Sequence, residues 1–227
     1  MSAAPDRAPA FEERLTGRFA PDVRATALPL LAAGGIAALF AGAWLAVPLL
    51  ALGAFAAAFF RNPERALPAD PDAVLAPADG KVIEVGECEL PDGRKGLRIG
   101  IFLSVFDVHV NRAPVAGRVI ALARSGDEFL AAFNPAAAAR NVQLAMDLET
   151  AAGARVRVVQ ITGLIARRIV CHAREGEWLA RGVRYGLIRF GSRTDVVLPL
   201  AAEARVAVGD RVRGGSSVVA RLAGSAP

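Results

Sequence analysis

The sequence predicts a mainly β fold, a barrel-sandwich hybrid-like β domain with few short helices, preceded by an apolar N-terminal membrane anchor. Three observations carry that expectation. From about residue 75 the chain breaks into short β-like runs separated by Gly and Asp, the pattern of a sandwich or barrel. Two pairs of segments in that part echo one another. Ahead of it, Ala25–Phe60 runs for 36 positions without a charged residue.

Residues 1–24 form a tail in which Arg7, Arg14, Arg18 and Arg24 are balanced by Asp6, Glu12, Glu13 and Asp22. The apolar stretch 25–60 is too long for one straight span. At 1.5 Å per residue it would reach about 54 Å, against a hydrocarbon core of roughly 30 Å. Gly34-Gly35 and Pro48 interrupt it, leaving two short spans in a hairpin or one helix followed by an interfacial segment, and Arg18, Arg24, Arg61 and Arg65 flank its two ends. Basic flanks on both sides place both ends in the cytoplasm and favour a hairpin or re-entrant anchor. A cleaved signal peptide fits poorly, because the stretch starts late and runs long. An Ala-rich soluble helix pair is the plain alternative. Residues 61–74 read as a proline-broken connector.

The β domain is expected over 75–227. Its runs are Lys81–Val85, Leu97–Leu103, Gly117–Ala123, Val156–Ile161, Ile165–His172 and Val196–Leu200, with a weak helix only near Pro135–Arg140. Pro77-Ala-Asp-Gly-Lys-Val-Ile-Glu-Val85 echoes Pro114-Val-Ala-Gly-Arg-Val-Ile-Ala-Leu122. Gly176-Glu-Trp-Leu-Ala-Arg-Gly182 echoes Gly209-Asp-Arg-Val-Arg-Gly-Gly215, the G-[DE]-x-[LV]-x-x-G turn of biotinyl- and lipoyl-type β domains. Glycine permits left-handed turns and the acid can bond the turn amides, so the echoes suggest a barrel-sandwich of related halves.

The net charge of +5 lies in the globular part, where Arg167, Arg168, Arg174, Arg181, Arg184, Arg189 and Arg193 face only Glu175 and Glu177. A basic face suits nucleic acid or an anionic membrane surface, and is otherwise simply a solvated surface. Aromatic residues are too sparse there for a base-stacking platform, so nucleic acid is set aside. Cys88 and Cys171 form no metal or CxxC spacing and read as buried, reduced thiols. With His109 and His172 as the only histidines, a histidine-rich metal site is excluded.

The chemistry gathers at Gly191-Ser192, in the run Tyr185-Gly-Leu-Ile-Arg-Phe-Gly-Ser-Arg-Thr-Asp195. Asp79 in Pro77-Ala-Asp-Gly80 and His109 in Phe102-Leu-Ser-Val-Phe-Asp-Val-His-Val-Asn-Arg112 could bring a carboxylate and a base to it. A histidine can take a serine proton while a carboxylate orients and stabilises the imidazolium. The target could be the chain's own Gly191 carbonyl, since glycine neither blocks the attack nor resists a strained backbone. Each residue alone has an ordinary reading: a turn aspartate, a core histidine, a turn serine. His172 reads as a strand histidine, and Ser216-Ser217 is a weaker second cleavage candidate.

These segments, with Phe59-Phe60-Arg-Asn-Pro63, stand in the order found in one family. From about residue 25 onward the chain resembles the short, bacterial and archaeal type of phosphatidylserine decarboxylase. The resemblance implies a pyruvoyl-dependent proenzyme that cuts itself at Gly191-Ser192 into a β chain, 1–191, and an α chain, 192–227. Ser192 would be the nucleophile and the pyruvoyl precursor, Asp79 the processing carboxylate, and His109 the general base. The pyruvoyl group, made from Ser192 with no metal and no pyridoxal phosphate, would form a Schiff base with phosphatidylserine and release CO₂ to give phosphatidylethanolamine.

Longer bacterial members carry a second histidine three positions after the first, where this chain has Arg112. His109 would then serve both processing and decarboxylation, or His172 would help. Arg112 is suited to bind the substrate carboxylate or phosphate. The resemblance also implies a homodimer at the cytoplasmic face of the inner membrane. The competing reading is a non-enzymatic, membrane-anchored barrel-sandwich adaptor or carrier-like module. Residues 123–155 are too short for the helical hairpins of such adaptors, and neither Lys81 nor Lys95 lies in a carrier-type turn.

Overall fold

The computed structural model describes residues 17–90, 92–189 and 191–223. Most of the expected tail, Phe190 of the Gly-Ser run and the last four residues lie outside the described residues. The chain divides into two compact units at Glu64/Arg65.

In the first unit, helix α1 spans Val23–Phe40 and α2 spans Ala43–Phe59. At 18 residues, α1 is long and apolar enough to cross a membrane. The break between them is Ala41-Gly42, with Gly42 at φ +86°, and not the interruptions expected from sequence. Gly34-Gly35 lies inside α1, and Pro48 inside the early turns of α2. The reason is the seam between the helices. Ala27, Gly34 and Ala37 of α1 and Ala46, Gly53 and Ala56 of α2 are buried. A Cβ on Gly34 would lie 2.7 Å from Leu50 Cγ, and one on Gly53 2.7 Å from Leu31 Cδ2. Large apolar side chains point away, among them Ile36, Leu39, Phe40, Trp44 and Val47. Small residues inside and large apolar ones outside is how helices pack when lipid is the solvent.

The second unit is mainly β. Its strands are β1 (Ala73–Leu75), β2 (Gly80–Glu89), β3 (Lys95–Leu103), β4 (Val110–Arg112), β5 (Gly117–Ser125), β6 (Gln143–Glu149) and β7 (Arg155–Ile161). Then follow β8 (Ile169–Cys171), β9 (Trp178–Leu179), β10 (Arg184–Ile188), β11 (Ser192–Pro199), β12 (Glu203–Ala204), β13 (Arg211–Val212) and β14 (Val218–Arg221). The one helix described here is α3, Ala137–Arg140. Eight strands form an antiparallel sheet in the order β13-β2-β3-β11-β7-β6-β5-β9, with two three-stranded sheets, β1-β14-β12 and β4-β10-β8. The core lies against the large sheet and includes Val82, Ile99, Ile101, Val119, Leu148 and Val196.

The sequence echoes are a structural repeat. Val212 pairs with Gly80 and Arg211 with Lys81, while Leu179 pairs with Gly117 and Trp178 with Arg118. The loop bonds match as well: Val82 N to Asp210 O and Val119 N to Glu177 O, then Gly215 N to Ala76 O and Gly182 N to Ala113 O. The repeat places the two echo turns at opposite edges of the large sheet. In this correspondence Asp79 stands where the other half has Ala116, so the repeat itself needs no carboxylate there.

Other expectations shift in detail. Ile165–His172 contains only a three-residue strand, with Leu164 and Ile165 exposed before it. The basic face is smaller than the arginine count suggests. Arg184 and Arg193 are buried, and Arg181 donates to the carbonyls of Pro68, Asp70 and Ala73. Arg167, Arg168 and Arg174 stay exposed. Cys88 and Cys171 are free but only half-buried.

Candidate active site

Strand β11 begins at Ser192 in the middle of the large sheet, with β3 on one side and β7 on the other. Ser192, Arg193, Thr194 and Asp195 are all buried, so both faces of the strand are covered. Ser192 Oγ makes no hydrogen bond among the described residues. An unsatisfied buried hydroxyl costs on the order of 1–3 kcal/mol, so its retention at this position calls for a reason beyond stability.

Gly191 holds φ +66°, and among the described residues no atom beyond its own chain neighbours lies within 4 Å of the place its Cβ would take. Its glycine is therefore required by the left-handed backbone, not by crowding. Its carbonyl group is crowded from elsewhere. The Gly191 oxygen sits 2.2 Å from where a Cβ on Gly163 would be, just past the end of β7. The bare Cα of Gly163 is the seat of that carbonyl. Gly163 was not singled out from sequence, because its role depends on a neighbour 28 positions away (191 − 163).

His109 is 2% exposed, directly before β4. Its Nδ1 lies 2.9 Å from the Asp107 carbonyl oxygen, and its Nε2 3.3 Å from the Gly191 amide nitrogen. A carbonyl can only accept, so Nδ1 carries the proton, and the Nε2 lone pair accepts the Gly191 N–H, one peptide group before the Gly-Ser bond. The orienting acceptor on Nδ1 is thus a backbone oxygen. Asp79 accepts from Arg65 at 2.8 Å through Oδ2 and from the Gly214 amide at 2.7 Å through Oδ1. It shares a cavity of about 660 Å³ with Asp107, Arg211 and Arg213.

Arg112 is 5% exposed and donates to the Gly182 carbonyl at 3.2 Å. Its Cδ fills the space a Cβ on Gly215 would need, at 2.6 Å. It therefore links the two repeated turns. Arg112→Lys is expected to destabilise the fold by about 1–3 kcal/mol, since a lysine lacks the fork. Thermal melting checks this, with the substrate KM left unchanged; a raised KM at unchanged stability would contradict it. His172 follows β8 and bonds Tyr185 through its backbone. Ser216 and Ser217 are engaged within their own turn, bonding the Arg213 backbone.

Beside Gly191 opens a cavity of about 360 Å³ lined by Phe102, Val105, Phe133, Leu164 and Ile165. Phe133, Leu164 and Ile165 are exposed at its rim, and Arg167 and Arg168 follow directly on the same loop. Larger cavities of about 510 and 560 Å³ lie elsewhere and do not reach Gly191 or His109. No group of three or more metal-ligating side chains occurs among the described residues.

Fold and site together define a mainly β domain with an apolar helical hairpin, in which Gly191-Ser192 opens a central strand and the His109 ring lies against the Gly191 amide. Comparison with known proteins makes it specific. Residues 52–220 match the family model described as phosphatidylserine decarboxylase. A phosphatidylserine decarboxylase proenzyme of Pelobacter propionicus is 50% identical over 169 residues, 74% of this chain and 77% of that protein. One from Burkholderia ambifaria is 44% identical over 197 residues, covering 86% and 89%. One from Cupriavidus pinatubonensis is 45% identical over 184 residues, covering 80% and 85%. The chain belongs to the phosphatidylserine decarboxylase family, and is a decarboxylase, a carboxy-lyase.

Proposed function

We propose that this protein is a proenzyme that cuts its own Gly191–Ser192 bond and then converts phosphatidylserine to phosphatidylethanolamine and CO₂. The observation that carries the reading is a buried Ser192 Oγ, without a hydrogen-bond partner among the described residues, next to Gly191, whose amide donates to the His109 Nε2. Nε2 releases the Gly191 N–H and takes the hydroxyl proton as Oγ attacks the Gly191 carbonyl carbon, whose oxygen rests against Gly163. The C–N bond breaks and the nitrogen of residue 192 is protonated, leaving an ester. Loss of the Ser192 Cα proton then breaks the Cβ–Oγ bond. The oxygen stays on Gly191 as a carboxylate, and one water hydrolyses the dehydroalanine at residue 192 to a ketone with release of ammonia.

The residues fit a pyruvoyl group at this place. Residue 192 is enclosed, sits at the start of a strand and follows a glycine that leaves the bond open to attack. When formed, that group supplies an electron sink for decarboxylation. The chain's own part is to hold it. Strand β11 keeps both neighbours after the cut, β13 keeps β2, and β14 keeps β1. The 36 residues of 192–227 therefore remain bound (227 − 191). His109, bonded to Gly191 next to position 192, can return the proton to the decarboxylated carbon.

Asp79 is assigned to processing, because its carboxylate is an addition to a repeat that works with alanine at position 116. Its bond to the Gly214 amide ties the large chain to the small one across the cut. Asp79→Asn is expected to slow cleavage by about ten- to a hundredfold, followed as intact mass against time. Normal maturation would remove Asp79 from the processing group.

The lipid substrate suits the apolar cavity at Gly191 and the exposed arginines beside it, which favour an anionic membrane surface. The hairpin α1–α2 belongs to the same reading as an anchor at the cytoplasmic face, in a homodimer. Ile165→Asp should lower turnover of long-chain phosphatidylserine in vesicles by roughly tenfold, with cleavage intact. Unchanged vesicle turnover would remove the rim from substrate capture.

A further inference from the structure

On the face of β11 opposite Ser192, the Arg193 guanidinium is enclosed at 1% exposure. Its Nε donates to Asp195 Oδ1 at 2.5 Å, and its Nη2 to Asp195 Oδ2 at 3.0 Å and to Glu84. Sheet register explains the space it occupies. Gly100 of β3 is the cross-strand partner of both Asp195 on β11 and Glu84 on β2, so the three form one row. A Cβ on Gly100 would stand 2.7 Å from Arg193 Nη2 and 3.1 Å from Asp195 Oδ1. The missing side chain is the seat of the guanidinium. Arg98 flanks the row, 3.7 Å from Glu84 and 3.8 Å from Asp195. Burial pushes the Asp195 carboxyl up from its ordinary range, against the pull of Arg193.

Self-cleavage makes no use of this cluster, but its position relative to the cut is telling. In the precursor, residue 192 is held through both Gly191 and Arg193. After the cut it is a chain end, and Arg193 is its one covalent neighbour. Chain ends fray unless they are tied down. We propose that Arg193, seated over Gly100 between Asp195 and Glu84, is a positioning residue that holds the cut end of β11, and with it residue 192, in register for decarboxylation. This rests on cleavage at Gly191–Ser192. The planar fork engages a carboxylate through two nitrogens and fixes a direction, which a lysine ammonium does not.

The test compares Arg193→Lys, Gly100→Ala and the milder, partly solvent-facing Glu84→Gln with the wild type, all as full-length protein. Cleavage is timed by intact mass, the ketone is counted by borohydride reduction, and kcat and KM on phosphatidylserine are taken per ketone. Cleavage times and KM should stay within about twofold of wild type, while kcat per ketone falls roughly tenfold or more for Arg193→Lys and Gly100→Ala. Glu84→Gln should show a smaller fall of about threefold in the same direction. Wild-type kcat per ketone in Arg193→Lys and Gly100→Ala would overturn the proposal. So would cleavage slowed in proportion to decarboxylation, since that marks a role in the uncut fold. A wild type without ketone or activity would overturn the parent reading as well, a result distinct from failure of the variants alone.

Discussion

Gly163→Ala should leave the protein as one uncut chain without decarboxylase activity, the largest effect expected from removing so little. The added methyl would sit 2.2 Å from the Gly191 oxygen, an approach no Cβ makes. That oxygen belongs to the backbone and cannot rotate away, so the scissile carbonyl itself must move. Misplacing a reacting carbonyl by even an ångström costs about a hundredfold in rate. Gly163 does not hold a left-handed backbone, so alanine there brings no conformational strain of its own. The uncut variant should therefore still fold. Intact mass over a day, beside a circular dichroism melt, separates the two effects. Cleavage at the wild-type rate would mean that Gly163 does not seat the carbonyl.

Ser192→Ala should be equally inert for a different reason. Without Oγ nothing attacks Gly191, no ketone forms, and the 227-residue chain persists whole. Stability is expected to move the other way. Since Ser192 Oγ is buried without a partner, its deletion should cost nothing and can gain about 1 kcal/mol. The combination of a stable precursor and no activity is diagnostic. A cleaved or active Ser192→Ala protein would exclude the mechanism, and a markedly destabilised one would mean that the hydroxyl has a structural partner.

Much of this arrangement was legible in the residues, for physical reasons that can be named. The echo between Pro77–Val85 and Pro114–Leu122 became a repeat of pairing, because the same Gly–Lys/Arg step meets the same turn at each sheet edge. His109 is conspicuous because histidine is rare in the chain, and its Nε2 accepts the Gly191 amide N–H. Strand β6 is absent from the sequence expectation, yet its buried Leu144, Met146 and Leu148 alternate with less buried neighbours, a period-two signal present in the residues. Strand β10 could not be read that way, since Arg184 through Ile188 are all buried and no alternation exists.

The helix break falls at Ala41-Gly42 and not at Gly34-Gly35 for a related reason. Gly34 serves close packing against Leu50, and a glycine that lets helices touch looks in sequence like one that ends a helix. Three features had no signal at all. They are the seat at Gly163, the seat at Gly100 and the Asp107 carbonyl on His109 Nδ1, each made by chain segments meeting in space.

The most direct measurement is the intact mass of freshly purified wild-type protein, before and after borohydride. Two chains divided between Gly191 and Ser192 are expected, the smaller one lacking a free amino terminus and gaining two hydrogens on reduction of its ketone. A single unreduced chain of full length in protein that decarboxylates phosphatidylserine would contradict the mechanism at its root.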